Sequence, residues 1–170
     1  MSTTSLVEEL KEKLPKEQVT EVKQFKHYEN KAVVYIKPEN LRTIITKLKE
    51  LGFDHFLGIE TIDWWKKDNT FEMVYMLSSV SRKGQIVFVR FKIPRDNPIV
   101  DTIHDIFPLA YYQEIENYEF FGVVFKGHNG LRKWILDGNW DGPPPLRKDF
   151  DARKWVLETY YGGKRYERPV

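Results

Sequence analysis

Three glutamates, Glu114, Glu116 and Glu119, crowd one short stretch of the chain. At helical spacing Glu116 and Glu119 share a face. Paired carboxylates can pass a proton to and from a substrate. The same row can equally be solvated, or meet the basic groups of a partner. Four histidines, His27, His55, His104 and His128, are scattered, and none pairs with another at the spacing of zinc ligands on a helix. Gly162-Gly163 is isolated, so it makes no phosphate-binding loop. No Gly-x-Ser-x-Gly turn presents a nucleophile. There is no cysteine, so neither a thiolate-held iron–sulfur cluster nor a disulfide can form within the chain. The residues therefore predict no catalytic, cofactor-binding or metal site.

Two further stretches have chemistry of another kind. Asp63-Trp64-Trp65-Lys66-Lys67 mixes aromatic rings with bases, a composition that can stack single-stranded nucleic acid. A strand end with rim residues is the simpler reading. The formal net charge of +2, with acids and bases alternating along the chain, argues against a nucleic-acid partner. Leu146-Arg147-Lys148-Asp149-Phe150 follows Pro143-Pro144-Pro145. The prolines fix an extended approach with little entropy left to lose. Arg147 offers a planar fork for a carboxylate, and Asp149 an acceptor. By itself this is a docking peptide.

The elements that must hold these residues are readable from periodicity. Ser5 to Leu14 predicts a helix, with a capping-box spacing at Ser5 and Glu8 and a stop at Pro15. Val19 to Phe25 and Ala32 to Ile36 predict strands, joined by a polar loop from His27 to Lys31. Leu41, Ile44, Ile45, Leu48 and Leu51 predict a helix over Pro38 to Leu51, ended by Gly52. A strand is expected within His55 to Ile62. Thr70 to Ser79 and Gln85 to Ile93 alternate as a hairpin, with apolar residues on both faces, which predicts a sheet covered on both sides. Ile99 to Phe107 predicts a short helix, and Pro108 to Phe121 a second one. On the latter, Leu109, Tyr112, Ile115, Tyr118, Phe120 and Phe121 spread around most of the circumference, as in a buried or sandwiched helix.

These elements predict an α+β fold: one mixed sheet with helices packed on it, over residues 1–122. Residues 123–170 are broken repeatedly by Gly127, Gly130, Gly138, Gly142, Pro143, Pro144, Pro145, Gly162, Gly163 and Pro169. They nevertheless hold Phe125, Leu131, Trp134, Ile135, Trp140, Phe150, Trp155, Tyr160 and Tyr161. Such a segment predicts an extended arm docking on a partner, with aromatic anchors of the interface kind. Charged residues reach 31% of the 170, which fits a well-solvated surface or the ion-pair networks of a thermophile. The N-terminus lacks the basic and apolar regions of a signal peptide, and no apolar run approaches a transmembrane helix. Any membrane contact is expected only through partners.

The run from Ile106 to His128, then Leu131-Arg132-Lys133, then Trp140-Asp141-Gly142, then Pro145-Leu146-Arg147-Lys148-Asp149-Phe150, resembles the 30-kilodalton (C) subunit of respiratory complex I in order and spacing. It also resembles the equivalent subunit of energy-converting membrane-bound hydrogenases and of membrane-bound sulfane reductases. Where that family has Trp, Glu-Arg-Glu and Asp, this chain has Tyr112, Glu114-Ile115-Glu116 and Glu119. The family's Gly-His-Pro-Leu-Arg-Lys-Asp is Gly142-Pro143-Pro144-Pro145-Leu146-Arg147-Lys148-Asp149 here. The missing histidine and extra residue point away from the quinone-reducing branch, toward a ferredoxin-dependent [NiFe]-hydrogenase-type complex.

The resemblance implies a cofactor-free structural subunit in the hydrophilic arm, on the cytoplasmic side of the cell membrane. It would support the large catalytic subunit and the iron–sulfur subunits, which would carry the [NiFe] centre and clusters, in electron transfer coupled to ion pumping. The partner interface it implies comprises Glu114, Glu116, Glu119, Phe121, Gly122, Gly127, His128, Leu131, Arg132, Trp140, Leu146, Arg147, Lys148, Asp149 and Phe150.

Overall fold

A computed structural model describes residues 5–136 and 140–162. The breaks expected at Gly138, Gly163 and Pro169 lie outside the described residues. Helix α1 spans Leu6–Lys13, where the Ser5 hydroxyl accepts from the Glu8 amide and the Glu8 carboxylate accepts from the Ser5 amide. Leu6, Leu10 and Leu14 face inward. Strands β1, Val19–Phe25, and β2, Tyr28–Ile36, form a hairpin. Its connection is shorter than the expected polar loop. Lys26 adopts a left-handed φ of 53° and lets Tyr28 pair with Phe25. A 3-10 turn, Pro38–Asn40, leads into α2, Leu41–Glu50, whose Leu41, Ile44, Ile45 and Leu48 are fully buried.

Strands β3, His55–Asp63, β4, Thr70–Ser79, and β5, Gln85–Pro94, complete a mixed sheet of order β1-β2-β5-β4-β3. Only β2 and β5 run parallel. A short helix α3, Trp65–Asp68, links β3 to β4. Register places Phe71, Met73, Tyr75 and Leu77 opposite Ile93, Phe91, Val89 and Val87, all on one face and all buried. That face, with α1 and α2, makes one hydrophobic core. On the second face, which the sheet's apolar residues suggested is covered as well, Glu72 and Val74 are buried whereas Phe25, Phe88 and Arg90 are half-buried. The second face is held by cross-strand contacts that tolerate water, such as Glu72 with Arg90 at 3.0 Å and Phe25 stacked on Phe88 at 4.7 Å.

The region after Pro98 differs from expectation. Ile99–Asp101 is a strand, β6, not the start of a helix. Its β-branched Ile99 and Val100 favour extended backbone, and its partner is β7, Val124–Lys126, in parallel. Between them lies α4, Ala110–Phe121, packed against β3. The domain therefore continues past Gly122, since Val123 and Phe125 alternate into the core. Residues 127–136 and 140–151 are irregular apart from turns, and Asp151 then caps a last helix, α5, Ala152–Tyr161. Among the described residues, no helix is long and apolar enough to cross a membrane.

Candidate functional site

Helix α4 inverts the usual rule for an amphipathic helix. Its buried residues include Glu114, Asn117 and Glu119, whereas Leu109 just before it and Tyr112 are 53% and 54% exposed. Each inward polar group has a named partner, as burial requires. The Gln113 Oε1 accepts from the Ile59 amide at 2.6 Å, and the Thr61 hydroxyl donates to Asn117 Oδ1 at 2.5 Å. These bonds seat α4 on strand β3. The helix reads as apolar all round, yet side-chain amides and carboxylates join Ala110, Ile115, Tyr118 and Phe121 in docking it.

Glu114 is enclosed. Its Oε1 accepts from the Ile103 amide at 2.8 Å, and its Oε2 pairs with the Thr102 hydroxyl, which also touches His104 Nδ1 at 2.7 Å. Burial pushes the Glu114 carboxyl up to about 7, with the Ile103 and Thr102 hydrogen bonds opposing. His128 approaches the same carboxylate to 3.9 Å. Parallel pairing of β6 with β7 explains this meeting, because His104 and His128 follow the paired residues Asp101 and Lys126. The donors of His104, Glu114 and His128 lie within 4.8 Å of one another, a geometry from which a two-histidine, one-carboxylate metal site could start. Hydrogen bonds engage both Glu114 oxygens, His104 Nδ1 and both nitrogens of His128. The Gly130 amide donates to His128 Nδ1 at 3.1 Å, so Nε2 carries the proton and gives it to the Tyr111 carbonyl, also at 3.1 Å. The group is a hydrogen-bonded latch between α4 and the β6–β7 pair, with a neutral His128 whose pKa burial lowers.

The Pro-rich segment is pinned back onto the chain's own domain. Arg95, only 3% exposed, sits between Asp63 and Asp149. Its Nη2 donates to Asp149 at 2.5 Å and to Asp63 at 3.2 Å, while Nε lies 2.9 Å from Asp63 as a charge contact rather than an in-line hydrogen bond. The Lys148 amide donates to Asp63 at 2.9 Å. The hydrogen bond from Arg95 holds Asp149 below the usual aspartate range. Arg147 donates through Nε to the Phe121 carbonyl at 2.7 Å, and its guanidinium lies over the Phe71 ring at 5.2 Å, beside that of Arg95 at 5.3 Å. Gly122 makes this possible. It ends α4 with φ of 77°, and a Cβ there would stand 2.9 Å from the Arg147 guanidinium.

Glu119 fixes a third stretch. Its carboxylate accepts from the amides of Trp134, Ile135 and Leu136 at 2.7–2.9 Å. Burial works against this charge, but the three amides outweigh it and hold the group below an ordinary glutamate. The result is an ordered loop whose Trp134 and Ile135 side chains are 56% and 48% exposed. Trp134 packs on Tyr112 at 5.3 Å, so the loop and α4 present one aromatic face to solvent.

The residues expected at a partner surface thus divide. Glu114 and Glu119 are buried within the chain, because orphaned backbone amides need their carboxylates. Arg147 and Asp149, expected at a partner, bind Phe121 and Arg95 of the chain's own domain. Phe121, Gly122, His128 and Leu131 are half-buried supports. Trp140 and Phe150 cluster at 5.9 Å, with Trp155 of α5 against both. Glu116, Gly127, Arg132, Leu146 and Lys148 remain exposed. Sequence reasoning did not find Asp63 or Arg95 as anchors, nor Thr102, His104, Tyr111, Gln113 and Asn117 as part of the site. Their partners are distant in the chain, and no local spacing marks them.

Residues 34–156 match the family described as respiratory-chain NADH dehydrogenase, 30 Kd subunit. The corresponding subunit of the NADH-quinone oxidoreductase from Roseiflexus is 31% identical over 68% of this chain and 67% of its own length. Its counterpart in the F(420)H(2) dehydrogenase of Methanosarcina mazei is 29% identical over 69% of this chain and 74% of its own. A chain in the structure of a membrane-bound sulfane sulfur reductase, an archaeal respiratory membrane complex, superposes with a TM-score of 0.81 at 31% identity. The superposition covers 96% of this chain and 94% of that one.

Proposed function

We propose a function from one premise: this chain belongs to the family of the 30 kDa subunit of respiratory-chain NADH dehydrogenase. The chain serves as a cofactor-free structural subunit in the peripheral arm of a complex I-like respiratory membrane complex. It is held on the cytoplasmic side and reaches the membrane only through partners. Its partners are the large catalytic subunit and the iron–sulfur subunits, which carry the metal centres. The observation that carries this reading is the placement of its charges. Glu114, Glu119, Asp63 and Arg95 are used internally to hold α4, a loop and a Pro-rich arm in place, while Leu109, Tyr112, Trp134 and Ile135 are left outward. A face built in this way suits docking, not turnover.

Within the family, we assign the chain to the branch of membrane-bound [NiFe] hydrogenases and sulfane reductases, with ferredoxin as electron donor and ion pumping as the coupled work. Two observations support this over the quinone-reducing branch: the extra proline in place of histidine before Leu146, and the likeness to the sulfane sulfur reductase chain. The test is purification of the tagged chain from native membranes. Co-purification with a large subunit and iron–sulfur subunits that oxidise reduced ferredoxin is expected. Nickel bound to the large subunit selects hydrogenase; its absence, with sulfur-compound reduction, selects the sulfane reductase type. A chain recovered alone from the soluble fraction would overturn the proposal.

A further inference from the structure

In the Pro-rich segment, Arg147 and Asp149 point into the fold and are held there. The Lys148 amide is also held, by Asp63, but the Lys148 side chain is exposed. It borders a cleft of about 430 Å³ whose other walls are Asp63, Trp64, Trp65, Lys66 and Lys67. The cleft forms because β3 ends at Asp63. That carboxylate accepts from the Trp65 amide at 2.9 Å, which turns the chain into α3 and sets the two indoles side by side in sequence on its rim.

The charge in this cleft is unbalanced. Asp63 faces Arg95 and is 3% exposed, so its charge is already matched. Asp68, at the far end of α3, is bound to Lys92 and Thr70. Among the described residues, Lys66, Lys67 and Lys148 form no ion pair. Lys67 lies over the Trp64 ring at 4.8 Å and Lys66 over the Trp65 ring at 5.2 Å, so both ammonium groups stand beside the indoles that line the cleft. Trp64 is itself fixed, with Nε1 donating to Glu72 at 2.9 Å.

We propose that this cleft receives an acidic peptide segment of a neighbouring subunit, with its carboxylates against Lys66, Lys67 and Lys148 and its backbone or apolar side chains against Trp64 and Trp65. The proposal rests on the reading of the chain as a subunit. It identifies a second contact, chemically different from the aromatic face around Trp134. Two features favour a peptide. The three lysines line the cleft from two separate segments, α3 and the Pro-rich stretch, which offers several carboxylates of one peptide a partner. The indole rim also supplies apolar area of the kind found at protein interfaces. Steering by such a patch acts chiefly on association rate and falls with salt.

The experiment has two arms. In the first, the purified full chain is titrated with a synthetic Glu/Asp-rich decapeptide, and its tryptophan emission is followed. Saturable binding is expected. It should weaken at least tenfold in the combined Lys66→Gln, Lys67→Gln and Lys148→Gln variant and at least tenfold in 0.5 M salt, with no response to a neutral decapeptide. No saturable binding, or binding that the triple variant leaves intact, overturns the proposal. So does binding to phosphatidylglycerol vesicles or single-stranded DNA in place of the peptide. In the second arm, a photo-reactive residue replaces Trp65 in the chain assembled in its native complex. Cross-linking to an Asp/Glu-rich segment of one neighbour supports the proposal, and cross-linking to a segment without acids, or to none, overturns it while the subunit reading stands. If the chain enters no complex, the subunit reading fails, and the peptide titration still decides whether the cleft binds acids.

Discussion

At the residue scale the chain's most unusual groups are ionisable side chains enclosed by its own backbone. Glu114 has a carboxyl raised to about 7 in the fold against an ordinary 4.5. The folded state therefore holds more protons than the unfolded chain between those values, and its stability falls as pH rises through that window. Stability from this group is fully present below pH 4.5 and lost above pH 7. Glu114→Gln keeps an acceptor for the Ile103 amide and removes the titration. The variant should gain roughly 1–3 kcal/mol over the parent at about pH 8 and little at about pH 5, a difference that urea melts at the two values will read. An unchanged pH profile would mean that Glu114 is ionised in the fold. Tyr75 is a simpler case. Its hydroxyl is buried without a hydrogen-bond partner among the described residues. Tyr75→Phe should be neutral or stabilising by up to about 1 kcal/mol in thermal melts, since an unsatisfied buried hydroxyl costs more than it returns. Arg95→Gln behaves oppositely. It leaves Asp63 enclosed without its countercharge, at a cost of about 3–5 kcal/mol. Asp149→Asn should cost less, because 40% of that side chain is exposed and water shares its charge.

At the element scale, α4 is the hinge of the design. It turns amides and carboxylates toward β3, β6 and the 134–136 loop, and it ends on a left-handed Gly122 that leaves room for Arg147. Gly122→Ala should cost about 1–2 kcal/mol for the positive φ alone, and it must also displace the Arg147 guanidinium. Release of the Pro-rich segment follows, so trypsin should cut at Arg147 or Lys148 faster in the variant than in the parent. Equal cleavage rates would show that the segment stays seated without Arg147. The α4 case also marks what can be read from a sequence. Helices α1 and α2 and the β4–β5 hairpin were legible, since their apolar periodicity is local and their buried faces follow from it. Strand β6 was not, because three residues carry no period and only the pairing with β7 makes them a strand. The direction of α4 was not legible either. Its apolar residues, spread around most of the circumference, marked no one side as buried, and orphaned amides in other segments drew Glu114 and Glu119 inward. Local spacing carries no record of such distant donors.

At the scale of the whole molecule, one core of sheet and helices supports two outward surfaces of different chemistry, the aromatic face around Trp134 and the lysine-rimmed cleft beside Lys148. The prolines and aromatics of the C-terminal segment suggested a docking arm, but local sequence did not reveal that Arg147, the Lys148 amide and Asp149 bind the chain's own domain. That distinction sets what mutagenesis must separate. A residue that shapes the surface from beneath, such as Glu119 or Arg95, changes stability and assembly together. A residue that only meets the partner changes assembly alone. Trp134 is 56% exposed and rests on Tyr112, so Trp134→Ala should shift the isolated chain's stability by no more than about 0.5 kcal/mol. A buried tryptophan anchor at an interface is worth about 2 kcal/mol or more, which is roughly a thirtyfold loss of affinity at room temperature. The expected result is therefore a chain with an unchanged melting temperature that is largely missing from the membrane complex after competition with the parent chain. A variant incorporated as well as the parent would place the partner elsewhere. A variant that melts early would show instead that Trp134 packs the loop.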